Sequence, residues 1–397
     1  MSATTTFYGL LARVINAFIK VRPKHWVFGS DYGNMYREGS KYLLEYMLQN
    51  HPDFHCTFIT LNKEVKKNLE AKGIPCELNT SIKGIITVAQ ADAVFTTQTT
   101  NDVRYAYKKK GRSYYYLVHG QPLKIAMSAL RKTDIGKKIF RQNRLLQIKN
   151  RIANIVNYTY KLSDVSFVSA TSGFLQPYMD KDFDGEIKVK VLGMPRNDGL
   201  FDEKRMKNEK WVDGLNDKFV ITYMPTHRAY GQGEVTPTPF INRPDMQQWM
   251  EDNNVVLLMK NHPNMIKKIN QTRNSKCIID ITKQGIDPQV CLYHSDVLVT
   301  DFSSVWMDFL LLRRPVIFYI YDDFEKNDVG CHYNIRQDPP GYFCYTEDDF
   351  FQLIKDTKNK YDEMCPSDDI VRKYHQYVDG NSCERYYKEI NREKYNE

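Results

Sequence analysis

The sequence predicts two doubly wound α/β domains facing each other across a cleft, with an amphipathic helix ahead of them. Three observations predict it. The chain has 397 residues, too many for one core, since single cores stop growing near about 250–300 residues. Short apolar runs alternate with helical patterns in two separate series, which implies right-handed crossovers and mostly parallel sheets. The series are separated near residues 193–214, where residues 202–210 form a charged stretch. The boundaries read as 1–24 for the helix, 25–195 for the first domain, 196–215 for a linker, 216–375 for the second domain, and 376–397 for a C-terminal helix able to cross back to the first.

Within residues 7–22, Phe7, Leu10, Leu11, Val14, Ile15, Phe18 and Val21 recur at helical spacing, and Arg13, Asn16, Lys20 and Arg22 take the other side. Pro23 stops the helix. An apolar stripe with a basic flank that includes Lys24 suits an anionic membrane surface; a helix docked on the neighbouring domain would read the same way. The first series then gives strand patterns at 25–29, 54–60, 93–97 and 113–118, and helical patterns at 40–49 and 62–72. The second, after Gly214, gives strand patterns at 218–224, 255–260, 296–300 and 315–320 with helices between.

Composition narrows the class. The longest apolar runs, such as 316–320, are strand-sized, so no segment is expected to span a bilayer. A formal charge of +8 calls for an anionic partner: phosphate, nucleic acid or acidic lipid. Basic residues interleaved with tyrosines at 104–116 raise nucleic acid, but no nucleic-acid motif accompanies them and no such partner is expected. The cysteines form no Cys-x-x-Cys pair and no His/Cys metal spacing, so they read as reduced thiols. The N-terminus shows no small-residue cleavage site. The expected location is cytoplasmic, peripheral on the inner face of the cell membrane.

In doubly wound sheets ligands sit at the carboxyl ends of the strands, and five strand-end loops carry suitable chemistry. His119-Gly120-Gln121-Pro122-Leu123-Lys124 follows the strand at 113–118, where Gly and Pro stiffen the turn that projects the histidine. Gly193-Met194-Pro195-Arg196-Asn197-Asp198 follows 187–192, Met224-Pro225-Thr226-His227-Arg228 follows 219–223, and Lys260-Asn261-His262-Pro263 follows 255–259. The fifth, Asp301-Phe302-Ser303-Ser304, leads straight into a helical run ended by Pro315. A small hydroxyl-rich turn before a helix N-terminus can hold an anion through free N–H groups, although plain capping uses the same residues. No Gly-x-x-x-x-Gly-Lys occurs, which disfavours a nucleotide hydrolase. Loops rich in His, Arg and hydroxyls but poor in carboxylates fit a diphosphate.

On these motifs, taken in order, the sequence resembles the CDP-glycerol glycerophosphotransferase family of teichoic-acid and capsule synthesis, a GT-B-type fold. The family's His-Gly-Thr-Pro-Leu-Lys corresponds to His119–Lys124 with Gln121 for Thr, and its Gly-Tyr-Pro-Arg-Asn-Asp to Gly193–Asp198. Its Pro-Thr-x-Arg is Pro225–Arg228, its His-Pro is His262-Pro263, and its Thr-Asp-Tyr-Ser-Ser is Thr300–Ser304. Asp379-Gly380 leading to Arg385, and the stretch from Gly29 to Tyr46, are similar to further family segments. One departure is Val329-Gly330-Cys331-His332, where the family carries an Arg; Arg336 is the substitute at hand.

The resemblance implies transfer of glycerol phosphate from CDP-glycerol to a hydroxyl of a cell-surface polymer or its lipid-linked primer, with release of CMP. It implies His119 as the base and His262 as stabiliser of the transferring phosphate or leaving group. Arg196, Thr226, Arg228, Lys260, Asp301, Ser303 and Ser304 would bind the donor, with Asp301 orienting its loop. Gly120, Lys124, Tyr32 and Asn34 would line the acceptor side. The implied partners are the CDP-glycerol donor, a polymer or lipid-linked acceptor and an anionic membrane surface. No cofactor is implied, no carboxylate pair shows metal spacing, and metal dependence stays open. The alternatives are CDP-ribitol as donor, a GT-B glycosyltransferase using a nucleotide-sugar, and last a basic nucleic-acid-binding module. The paired-glutamate pattern of many retaining glycosyltransferases is absent from 301–308.

Overall fold

The computed structural model describes residues 3–134, 136–137, 160–226, 238–261, 275–322 and 330–395. Two compact units emerge: Met1–His119, Met127–Asp198 and Asp379–Glu397 make the first, and Gly120–Ala126 with Gly199–Val378 the second.

The first unit is built on seven parallel strands: β1 (His25–Phe28), β2 (His55–Thr60), β3 (Cys76–Leu78), β4 (Ala93–Thr96), β5 (Ser113–Tyr116), β6 (Val165–Ala170) and β7 (Lys188–Val191). Their order is β3-β2-β1-β4-β5-β6-β7. The central strands are apolar because both faces are covered: Trp26, Phe28, Phe95, Tyr115 and Phe167 are all buried. The rings of Phe28 and Phe95 stack at 4.6 Å. The strand order reverses between β1 and β4, which makes the loops after these two strands the natural ligand-facing pair.

The second unit holds β8 (Phe219–Tyr223), β9 (Val255–Met259), β10 (Ile278–Asp280), β11 (Val297–Thr300), β12 (Val316–Tyr319) and β13 (Tyr342–Cys344). They are parallel and ordered β10-β9-β8-β11-β12-β13, with the reversal between β8 and β11. The two doubly wound α/β sheets are the fold class read from the sequence. The sequence patterns did not reveal the short edge strands β3, β10 and β13, nor β6.

Helix α1 spans Ala3–Phe18 and ends before residue 22, where the pattern placed its stop. The Lys109 ammonium takes the terminal carbonyls of Asn16 (2.6 Å) and Ile19, and the Arg22 N–H turns to Gln90 O at 2.8 Å. The apolar stripe is split between two surfaces. Tyr8, Leu11, Ala12 and Ile15 pack with Ile85, Tyr105 and Tyr107. Phe7, Leu10, Val14 and Phe18 point outward, 63%, 57%, 57% and 82% exposed. Among the described residues no helix is long and apolar enough to cross a membrane.

The helix Ser382–Tyr395 packs against α2 (Glu38–Asn50) in the first unit. The Asp198 carboxylate caps its N-terminus, accepting the N–H of Ser382 (2.9 Å) and of Cys383 (2.7 Å). Gly193 has φ +84°, and a β-carbon there would stand 2.4 Å from Ser382 Oγ. Arg385 donates to Leu192 O at 2.9 Å and pairs with Asp379 at 2.8 Å. The Gly193–Asp198 and Asp379–Arg385 motifs thus meet in one clasp, which a side chain at 193 or loss of the Asp198 carboxylate would disturb.

Candidate functional site

The loop after β1 is wound tightly: Asp31, Tyr32 and Gly33 have φ of 49°, 56° and 81°. Such a run in the left-handed region is costly for non-glycine residues and persists only where neighbours hold it. Asp102, fully buried, does the holding. Its carboxylate accepts the Tyr32 N–H at 2.9 Å, the Thr97 N–H at 2.8 Å and the Gln98 N–H at 2.8 Å. It thereby ties the loops after β1 and β4 together at the strand-order reversal. Tyr32 is 51% exposed, while Asn34 donates to Asp31 O at 3.1 Å.

His119 lies three residues beyond β5 and is exposed. Its ring is tied to the Thr97 backbone, and its carbonyl accepts Arg196 Nη1 at 2.6 Å. Although the residue reaches solvent, the protein around the ring disfavours its charged form and sets its pKa below the usual imidazole value; Glu38 opposes this and Arg196 reinforces it. Exposure and a lowered pKa together describe a neutral imidazole that can accept a proton. Arg196 is buried, and its Nη1 also reaches Glu38 Oε2 at 2.6 Å.

In the second unit the loops after β8 and β11 flank the reversal. Asp301 is fully buried, and its Oδ1 accepts both the N–H (2.8 Å) and the hydroxyl (2.6 Å) of Thr226. One carboxylate thus fixes two motif loops. Ser303 and Ser304 are half-buried ahead of the helix Val305–Leu310, and Ser304 makes no side-chain capping bond. Gly120–Ala126 belongs to this unit: the Ile125 N–H donates to Gly330 O (3.0 Å), the His332 N–H to Leu123 O (2.8 Å), and Lys124 bridges Cys331. Gly120 and Lys124, read from the sequence as acceptor-side residues, are therefore grouped with the second sheet. A β-carbon on Gly120 would stand 2.6 Å from Ser304 Oγ.

Lys260 directly follows β9, its ammonium donating to Ile286 O at 2.8 Å. Arg336 lies over the Phe302 ring at 5.8 Å and the Phe343 ring at 5.4 Å, beside the Asp301–Ser304 loop. Arg228 and His262 lie outside the described residues. Asp102 and Glu38 escaped the sequence reading. The one signal for Asp102 was its place five residues past the end of an apolar strand pattern, in a polar run that otherwise looks like solvent-facing loop.

A model of the family described as CDP-Glycerol:Poly(glycerophosphate) glycerophosphotransferase matches residues 11–392. A teichoic acid poly(glycerol phosphate) polymerase of Staphylococcus epidermidis is 26% identical over 376 residues, covering 90% of this chain and 48% of the relative. The chain thus spans about half the length of that protein. A teichoic acid glycerol-phosphate transferase of Staphylococcus aureus is 27% identical over 380 residues, 90% of both chains. Among solved structures, the wall teichoic acid polymerase TagF shares this fold with a TM-score of 0.75 at 22% identity, covering 98% of this chain and 93% of that one.

Proposed function

The chain belongs to the CDP-glycerol:poly(glycerophosphate) glycerophosphotransferase family, and from that premise we propose that it transfers glycerol phosphate from CDP-glycerol to a hydroxyl of a cell-surface polymer or its lipid-linked primer. The acceptor oxygen attacks the glycerol-bearing phosphorus, the bond to the CMP oxygen breaks, and CMP leaves. His119 takes the acceptor proton. The donor phosphates are held by hydroxyl and backbone N–H donors of the second unit's Ser303–Ser304 and Thr226 loops, and their charge is neutralised by Arg228, Lys260 and His262. Asp301 orients rather than reacts, since Thr226 already occupies one of its oxygens.

The observation that carries this reading is the family match over residues 11–392, supported by a neutral histidine anchored through ring and carbonyl. The test is CMP release from radiolabelled CDP-glycerol in the presence of a glycerol-phosphate-tipped acceptor, with CDP-ribitol beside it. Turnover with CDP-glycerol is expected. Turnover only with a nucleotide-sugar, or salt-sensitive nucleic-acid binding without turnover, would overturn the proposal.

The same reading includes a peripheral place on an anionic membrane. Phe7, Leu10, Val14 and Phe18 form an outward apolar row, and Arg13, Lys20 and Arg22 beside it are exposed. Apolar insertion plus cationic attraction is the physics of interfacial helices.

A further inference from the structure

The residue before His119 is Val118, which is β-branched yet has φ +44°. A β-branched side chain in the left-handed region is a true outlier, and such strain lasts only where surrounding contacts over-determine the backbone. Two contacts do so here. The Thr97 backbone holds the His119 ring. On the other side, one guanidinium nitrogen of Arg196 bridges the His119 carbonyl and Glu38 Oε2, each at 2.6 Å.

That bridge draws on three separate elements. Arg196 comes from the turn Pro195–Phe201. Glu38 opens α2 and is itself held at φ +61°. Next to it, a β-carbon on Gly39 would stand 3.2 Å from Leu117 Cβ, so the start of α2 lies directly against the strand that delivers His119. The Arg196 and Glu38 side chains are 9% and 14% exposed. A guanidinium already neutralised by a carboxylate and bonded to a backbone carbonyl is poorly placed for a phosphate, which prefers an open fork. The Arg196 bond to the His119 carbonyl oxygen fixes the position of that backbone.

We propose that Arg196, oriented by Glu38, is a positioning residue that clamps the strained Val118–His119 turn, rather than a ligand of the donor phosphates. The inference rests on His119 being the base. It makes the Glu38–Arg196 pair one device, whose loss lowers the rate without touching nucleotide affinity.

The test uses the full chain and measures kcat, CDP-glycerol affinity by calorimetry, and thermal melting for Arg196→Lys, Glu38→Gln, their double variant and His119→Ala. Lysine keeps the charge and has donors for both acceptors, but its ammonium sits on a shorter, flexible stem without the planar preorganisation of the guanidinium, so it holds the two acceptors less firmly. Arg196→Lys is expected to lose about tenfold to hundredfold in kcat, the scale of a small misplacement of a reacting group. Donor affinity should stay within about twofold, a few tenths of the tenfold step in binding energy. Glu38→Gln should show a smaller loss of the same kind, and the double variant should be no worse than Arg196→Lys alone. Weakened donor affinity at unchanged kcat would make Arg196 a ligand and overturn the proposal. Additive losses, or no loss in either single variant, would overturn it too. Normal turnover by His119→Ala would instead show that the base itself is misassigned.

Discussion

Gly120 approaches Ser304 so closely that a methyl group added to it would stand 2.6 Å from the serine oxygen. The atom met is a hydroxyl that can rotate, so Gly120→Ala should displace Ser304 Oγ and leave the fold intact. If that hydroxyl holds a donor phosphate, its displacement loses a charge-assisted hydrogen bond of about 1.5–3 kcal/mol. Affinity for CDP-glycerol should fall roughly tenfold to hundredfold. In a Ser304→Ala background the same glycine change should add almost nothing, because the added methyl would meet Ser304 Cβ only at 3.8 Å. Additive losses by calorimetry would place the donor elsewhere.

Removing the candidate base should separate rate from binding. His119→Ala is expected to lose about 10²–10⁴-fold in kcat, the usual worth of general-base assistance. Donor affinity and melting temperature should hardly move. A folded variant retaining more than about a tenth of normal kcat would be outside that range and would end the role.

The pH dependence has a definite sign. The folded protein disfavours protonated His119, so the acid limb of kcat/KM should fall below pH 6.5, the ordinary value. His375 is buried with Nε2 at 2.6 Å from Met307 O, and burial lowers its pKa as well. A histidine that binds its proton less tightly folded than unfolded makes protonation favour the unfolded chain. Stability is therefore lost as pH falls through 6.5 toward the depressed folded values. Thermal melting between about pH 7.5 and 5 reads this; a melting temperature that rises on acidification would contradict it.

The two faces of α1 should respond differently to the same substitution. Phe7→Ser, Leu10→Ser and Phe18→Ser together should release the protein from anionic vesicles with the melting temperature preserved. Leu11→Ser and Ile15→Ser, which strip the docked face, should cost about 0.5–3 kcal/mol of stability. Vesicle binding that survives the outer-face triple variant would exclude α1 as the contact.

The central strands were legible because both their faces are covered: runs such as Val255–Met259 are uniformly buried and need no amphipathic pattern to be seen. β3, β10 and β13 have three residues each, too few for any periodicity to register. In β6 the serines at 166 and 169 interrupt the apolar run, and Ser169 is used inside, donating to Gly193 O at 2.8 Å. His119 and Asp301 were legible as polar residues at the ends of apolar strands. Glu38 and Asp102 were not, because a charge that organises backbone from within looks, in sequence, like one that faces water. Arg196 shows the converse: its motif was seen, while the carboxylate that claims it lies far away in the chain.

The Asp198 clasp on Ser382 and Cys383 carries a consequence for synthesis. Tyr386 is buried against Phe167 of β6, and Tyr395 hydrogen-bonds Trp26 Nε1 at 3.1 Å and Asp92 at 2.6 Å, so the first sheet is finished by residues made after the whole of Gly199–Val378. Domains usually mature in the order they leave the ribosome, at about 5–20 residues per second. Here the earlier-made stretch must wait, its Trp26 hydroxyl partner and the cap donors for Asp198 still missing, while the second unit has all its residues. Of the two units, the one whose strands are made earlier is completed later, and a chaperone or protease meeting the nascent protein would find its unfinished surface there.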